Sequence, residues 1–237
     1  MILVFGGTTE GRIAVKTLDD GEGKYYYSTR SSLQEIDCAH GMHISGEMTG
    51  EMMTLFCRTK SVRLIIDAAH PFAEHLHSTI VEIAAKLSIP VIRFERKYPE
   101  IASHNVVWCD DYEEAVLKME EDGIKCLLAL TGVQTIPRLK KFWKHNDTWF
   151  RILNREESKE KVRQSGFPQS KIVYYKDSDA GPLIDEISPD AVLTKESGDT
   201  GGFMEKVDAA LSRNVKVFEV RRLKLSDNSI VVDGKHG

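Results

Sequence analysis

Met1-Ile2-Leu3-Val4-Phe5-Gly6-Gly7-Thr8-Thr9-Glu10-Gly11-Arg12 is the stretch on which the fold turns. Ile2 to Phe5 is a short, wholly apolar run of the kind that forms a strand buried on both faces. Two glycines follow it. From Thr8 to Leu18, Ile13, Ala14, Thr17 and Leu18 recur on one face at helical spacing. Strand, glycine turn and helix in that order predict a first βα unit of a doubly wound sheet. Gly6 and Gly7 allow a tight turn and close backbone approach. The helix start offers N–H groups and a positive dipole end to an anion. Gly11 allows close packing of helix on strand. The spacing departs from G-x-G-x-x-G, because the second glycine comes one position early.

The same alternation continues outward. Strands are expected at Tyr25–Ser28, Arg63–Asp67 and Val91–Phe94, with helices at Met52–Thr59 and Ala73–Leu87. A second series follows. Its strands are Cys126–Leu130, Trp149–Leu153, Lys171–Tyr175, Ala191–Thr194 and Val215–Val220. Its helices are Glu113–Glu121, Thr135–Phe142, Glu156–Gln164, Pro182–Ile187 and Gly202–Leu211. This predicts an α/β protein of two Rossmann-like lobes with mostly parallel sheets and a ligand cleft between them. The polar, proline-containing segment 95–105 is the hinge candidate. It sets the expected lobes at 1–97, binding a dinucleotide, and 98–237, binding substrate. Residues 227–237 read as a short strand and a tail.

Composition narrows the partners. The 237 residues are 41% hydrophobic and 29% charged, values of a chain with a packed core. The net charge of −4, with both signs interspersed, argues against nucleic acid, which needs a basic face. No apolar run approaches the ~20 residues of a membrane span. Nothing basic precedes the apolar N-terminal run, so it is read as a strand and not a secretory signal. Cys38, Cys57, Cys109 and Cys126 are scattered without a C-x-x-C pair, which fits reduced thiols in a cytoplasmic protein.

Two segments refine the ligand. The second strand ends in Tyr27-Ser28-Thr29-Arg30, with no acid for a ribose 2′-hydroxyl. Ser28, Thr29 and Arg30 suit a 2′-phosphate, so NADPH is expected over NADH. Asp67-Ala68-Ala69-His70-Pro71-Phe72-Ala73 lies at the end of a strand, the edge where ligands of open α/β sheets collect. Asp67, Ala68, His70, Pro71 and Phe72 are expected at the cofactor, with Pro71 opening the next helix and His70 as a candidate acid. His70, Glu74 and His77 also share helical spacing, but Pro71 and the lack of further ligands argue against a metal.

With these residues in hand, the chain resembles the precorrin-6A reductases of cobalamin biosynthesis, including the cobalt-precorrin-6A form. The matching stretches are Gly6 to Glu10, Asp67 to Ala73, Arg93-Phe94-Glu95-Arg96, Leu130-Thr131-Gly132-Val133-Gln134, Thr194-Lys195-Glu196-Ser197-Gly198 and Val220-Arg221-Arg222. They lie in order along nearly the whole chain. Lys97 stands where the family usually has proline, and Glu196-Ser197-Gly198-Asp199 replaces Asn-Ser-Gly-Gly. The resemblance implies transfer of an NAD(P)H hydride to a ring double bond of a contracted tetrapyrrole, with a proton added at the neighbouring carbon. It also implies a cofactor resting on Gly6, Gly7, Thr8, Thr9 and Glu10, with Arg12 beside them, on Ser28 to Arg30, and on the Asp67 loop.

A polycarboxylate tetrapyrrole needs local cations on an acidic protein. Arg93, Arg96, Lys97, Arg151, Lys195, Arg221 and Arg222 fall at or just beyond expected strand ends. Arg93, Arg96, Thr131, Gly132, Gln134, Lys195, Ser197, Gly198 and Arg221 form the expected substrate set. Tyr-x-x-x-Lys is absent, which removes the short-chain dehydrogenases. The missing acid after the second strand disfavours S-adenosylmethionine. An NADP-binding sensor without turnover is the alternative on the same fold.

Overall fold

The structure is a computed structural model that describes residues 1–31, 36–95, 101, 103–175, 180–198, 202–222 and 230–233. The first series of elements is β1 (Ile2–Phe5), α1 (Thr9–Asp20), β2 (Tyr25–Thr29), β3 (Gly41–Ser45), α2 (Gly50–Thr59), β4 (Leu64–Asp67), α3 (Glu74–Leu87) and β5 (Val91–Glu95). The second is β6 (Val106–Cys109), α4 (Tyr112–Glu121), β7 (Cys126–Ala129), α5 (Lys140–Trp143), β8 (Asp147–Ile152), α6 (Glu156–Ser165), β9 (Ile172–Tyr174), α7 (Gly181–Ile187), β10 (Ala191–Lys195), α8 (Phe203–Leu211) and β11 (Lys216–Val220). A last strand, β12 (Ile230–Asp233), follows. The fold class is the expected one, with two parallel α/β sheets.

The first sheet runs β12-β5-β4-β1-β2-β3 and every pairing is parallel. Winding goes outward from β1 through β2 to β3, then reverses through β4 and β5. The switch point lies between β1 and β4, so the Gly6 turn and the Asp67 loop leave neighbouring strands at the same edge. Alternate residues of β1 serve opposite faces. Leu3 and Phe5 pack with Ile65, Met53, Ile80 and Ile83, while Val4 packs with Ala14, Val15, Tyr25 and Tyr27.

The second sheet runs β6-β11-β10-β7-β8-β9, again parallel, with its switch point between β7 and β10. Val106, Leu128, Val192 and Val217 pack against Ile184, Phe203 and Val207 on one face.

Three expectations are corrected. The expected second lobe, 98–237, does not hold the chain's last strand. β12 pairs with β5, Ile230 opposite Ile92 and Val232 opposite Phe94. The compact units are Met1–Lys97 with Leu223–Gly237, and Tyr98–Arg222. An apolar run such as Ile230-Val231-Val232 specifies a strand but not the edge it joins. The expected helix 135–142 is a 3-10 turn at Val133–Thr135 followed by the short α5. Pro137 lies between them, and a proline inside a helix removes a backbone bond. Two strands went unread: β3, which has only Met42 and Ile44 as apolar residues, and β6, which abuts the expected hinge.

Candidate functional site

Thr8 fixes the first turn. Its side-chain oxygen accepts the N–H of Gly11 at 3.0 Å, capping α1, and its hydroxyl donates to the Ala68 carbonyl at 2.6 Å. One side chain therefore caps the helix and ties it to the loop after β4. The first-turn N–H groups of a helix have no intrahelical partner, and the start of α1 sets such donors at the switch-point edge. Glu10 is buried in this turn and Arg12 is exposed.

Gly6 and Gly11 are required by a side chain that the glycine pattern did not reveal. A Cβ on Gly6 would lie 2.3 Å from the Tyr27 ring, and one on Gly11 would lie 2.9 Å from both the Gly6 Cα and the Tyr27 hydroxyl. The Tyr27 hydroxyl also accepts the Gly7 N–H at 2.8 Å. Gly7 itself has φ +90°, a conformation natural to glycine. At Gly6 and Gly11 the close approach that glycine allows is made by the protein's own phenol. Burial first, offset by the Gly7 N–H, holds the Tyr27 phenol above its ordinary range and protonated.

At the end of β2, Ser28 and Thr29 are buried while Arg30 is exposed. The Thr29 hydroxyl donates to the Ser31 carbonyl at 2.8 Å, and its oxygen lies 2.7 Å from Nε2 of His43. That oxygen has spent its hydrogen, so Nε2 of His43 carries the proton and donates. His43 sits on the unread strand β3. Among the described residues, the Arg30 guanidinium lies 3.8 Å from Glu47.

The Asp67 loop rests on a buried charged cluster. Asp67, His77 and Arg93 are 3%, 1% and 3% exposed. Asp67 Oδ2 lies 2.6 Å from the Arg93 NH1 and 2.8 Å from the His77 Nδ1. The other imidazole nitrogen, Nε2, donates to the His70 carbonyl at 2.9 Å. Burial alone would raise the Asp67 carboxyl, but His77 and Arg93 outweigh it and hold it below the usual carboxylate range. Arg93, expected at the substrate, instead supports the loop from within, because a guanidinium this deep needs its carboxylate. His77 bonds through both nitrogens, which removes it from the spacing once considered for a metal.

His70 is half-buried. Its Nδ1 accepts the Phe72 N–H at 3.2 Å, so in the neutral ring the proton sits on Nε2. Pro71 does not open α3 as expected. The Ala73 N–H donates to the His70 carbonyl at 2.8 Å, closing a turn with Pro71 at its second position, where its fixed φ fits. α3 begins at Glu74 without a side-chain cap.

In the second unit, the expected substrate residues also gather at the switch-point edge. Thr131 is buried; its hydroxyl donates to Thr135, which donates to the Gly132 carbonyl at 2.8 Å. Gly132 takes φ +85°, and Gln134 is exposed on the turn that follows. Lys195 ends β10, and Ser197 and Gly198 are buried just beyond it. The Glu196 carboxylate accepts the Arg222 N–H at 3.1 Å. Arg221 is exposed, near Asp110 at 3.3 Å and above the Trp108 ring. Arg151 is buried against the Tyr175 ring at 4.8 Å. Arg96 and Lys97 lie outside the described residues.

One cation was missed. Lys206 on α8 faces Arg151 and Lys195; burial first, then their repulsion, push its ammonium down to about 8. Burial and the charge of Arg138 lower Lys195 as well. A lysine on an amphipathic helix reads as solvent-facing, so nothing in the sequence marked it. Among the described residues, no helix is long and apolar enough to cross a membrane.

The chain is similar to known proteins over nearly its whole length. The family model described as precorrin-6x reductase CbiJ/CobK matches residues 1–234. A cobalt-precorrin-6A reductase of Priestia megaterium is 30% identical, covering 97% of this chain and 93% of its own. A precorrin-6A reductase of Mycobacterium tuberculosis is 26% identical, with coverage of 99% and 94%. The solved CobK precorrin-6A reductase superposes with a TM-score of 0.77 over 98% of this chain and 91% of that one, at 20% identity, which is a likeness of fold. On a match running from its first residue almost to its last, the chain belongs to the precorrin-6x reductase family.

Proposed function

We propose that this protein reduces a ring double bond of a contracted tetrapyrrole, precorrin-6A or its cobalt form, in cobalamin biosynthesis, with NADPH as the hydride donor. The observation that carries the reading is the Thr8–Ala68 bond, which holds the helix-starting turn and the Asp67–Phe72 loop together at the first sheet's switch point. The donor set there suits a dinucleotide. The N–H groups and positive dipole end at the start of α1 would take the pyrophosphate, and the exposed Arg30 would take a 2′-phosphate. Gly6, Gly7, Glu10, Arg12, Ser28 and Thr29 would shape that cradle. The nicotinamide, when bound, supplies the hydride.

The chain's own residues then have three tasks. The Asp67–His77–Arg93 cluster holds the loop of Ala68, His70, Pro71 and Phe72, on which the cofactor would rest. His70 presents an Nε2 proton donor on that loop. At the second switch point, Lys195, Arg151, Lys206 and Arg221 would hold the substrate's carboxylates, with Thr131, Gly132, Gln134, Ser197 and Gly198 lining the approach.

The test is cofactor titration by nicotinamide fluorescence, followed by turnover of metal-free and cobalt-containing precorrin-6A. NADPH should bind in preference to NADH, and Arg30→Ala should weaken NADPH by about tenfold or more while leaving NADH unchanged. Tight NADPH binding with no turnover of either tetrapyrrole would favour the sensor. Binding of neither nucleotide would end the reductase reading.

A further inference from the structure

Two large apolar side chains stand in solvent at the ligand edge of the second sheet. Leu153, just past β8, is 48% exposed, and Tyr175, just past β9, is 40% exposed. The parallel ladder carries them side by side. Ile152 lies opposite Tyr174, and the Tyr175 N–H donates to the Ile152 carbonyl at 2.7 Å. Side chains alternate between the faces of a sheet with period two, so Trp149, Arg151 and Leu153 share a face with Tyr175. Two contacts identify that face. Trp149 packs against the core beneath α7 and α8, and the Arg151 guanidinium lies 4.8 Å from the centre of the Tyr175 ring. Tyr174 points the other way and meets Lys159 of α6.

Cations gather at the foot of the pair. Arg151 is buried there, and Lys206 of α8 is near enough to Arg151 and Lys195 for their charges to act on it. Glu219 and Glu205 also act on Lys206 without cancelling that repulsion. One exposed leucine or tyrosine is ordinary on a protein surface. An adjacent pair standing over cations at the C-terminal edge of a parallel sheet is placed for a ligand. A small acid or inorganic phosphate would use the cations and leave the pair in water. A ligand apolar on its broad face and acidic on its rim would use both.

We propose that Leu153 and Tyr175 form the wall on which one face of the tetrapyrrole rests, with Arg151 and Lys206 taking carboxylates from its rim. This rests on the reductase reading above and deepens it. Arg151 occupies one side of the Tyr175 ring and holds it in place, so the ring meets the substrate as a preset surface. The contact buries apolar area of a bulky ligand that the cations alone would hold only by its edge. The wall positions the macrocycle and takes no part in bond making.

The experiment measures equilibrium binding of metal-free precorrin-6A by its visible absorbance, without NADPH, and then steady-state kinetics with NADPH. The proteins are wild type, Tyr175→Ala, Tyr175→Phe, Leu153→Ala and Tyr174→Ala. All three positions are exposed, so melting temperatures should stay close to wild type. Tyr175→Ala should raise the tetrapyrrole Kd and KM about tenfold, and Leu153→Ala about threefold. For both, kcat should stay within about twofold and the NADPH Kd should not change. Tyr175→Phe keeps the ring and Tyr174→Ala alters the opposite face, so both should bind the tetrapyrrole as wild type does. The tenfold ratio should hold from about 0.1 M to about 0.5 M salt, because the lost contact is apolar. Wild-type binding by Tyr175→Ala would overturn the proposal, as would an equal loss in Tyr174→Ala or in Tyr175→Phe. A loss that shrinks with salt would overturn it too, since Tyr175 would then act only through Arg151. Should Tyr175→Ala fail to fold, Leu153→Ala decides by the same measures. A wild type that binds the tetrapyrrole without reducing it ends the reductase reading, and the binding comparison still decides this one.

Discussion

The Nε2 of His77 donates to the backbone carbonyl of His70 across 2.9 Å, while Nδ1 of the same ring lies 2.8 Å from the Asp67 carboxylate. A helix side chain thereby joins the end of β4 to the turn that carries His70 and Phe72. Removing the ring leaves a buried carboxylate with one partner fewer and a carbonyl without its donor. His77→Ala should lower stability by about 3 kcal/mol in urea unfolding. It should also weaken NADPH binding, although no atom of His77 is expected to touch the nucleotide. Full stability with normal binding would show the cluster to be incidental.

Asp67 makes the first unit acid-sensitive in a defined direction. Its folded-state carboxyl lies below its unfolded value, so its contribution is fully present above about pH 4 and is lost as pH falls through the depressed folded value. Asp67→Asn removes that contribution at neutral pH and strands the Arg93 charge, with an expected loss of about 3–5 kcal/mol. Below about pH 4 the stabilities of wild type and variant should converge. A constant gap down to strongly acid pH would assign the acid sensitivity elsewhere.

Gly6 has no room for a methyl group. Gly6→Ala should lower stability by about 2 kcal/mol, because the new Cβ meets the Tyr27 ring at 2.3 Å. In a Tyr27→Ala background, itself destabilised by the loss of a buried ring, the further cost of Gly6→Ala should be smaller, since the obstructing ring is gone. Thermal unfolding of the four variants of this cycle measures the coupling; strict additivity would mean that the turn moves away from Tyr27 at little cost.

Glu47 lies 3.8 Å from Arg30 on the surface. It competes with any phosphate for that guanidinium. Glu47→Gln should therefore strengthen NADPH binding by about two- to fivefold, leave NADH unchanged, and have little effect on stability. Weaker NADPH binding in this variant would mean that Glu47 orients Arg30 and does not compete for it.

Gly132 holds φ +85° and ψ 174°, a region that side chains resist even where space is open. Gly132→Ala should lower stability by about 1–3 kcal/mol and loosen the Thr131–Thr135–Gly132 chain of hydrogen bonds, with tetrapyrrole KM rising more than NADPH Kd. Equal effects on both ligands would place this turn outside the substrate's reach.

The sequence by itself determined the alternation of apolar strands and amphipathic helices, the glycine turn after β1, and the ordered motifs that mark the family. Each is local: a run, a spacing or a short word is complete within a few residues. The tertiary structure decided what pairs across the chain. It brought β12 back to β5, because strand pairing depends on which edge is available and not on the strand's composition. It put Tyr27 against Gly6, so that a residue 21 positions away fixes the glycine. It turned Arg93 inward onto Asp67 and His77, and set Glu219 beside Thr194 across the strand register. Burial and partners set the charge state of these groups, and both are properties of three-dimensional neighbours that no single stretch of sequence contains.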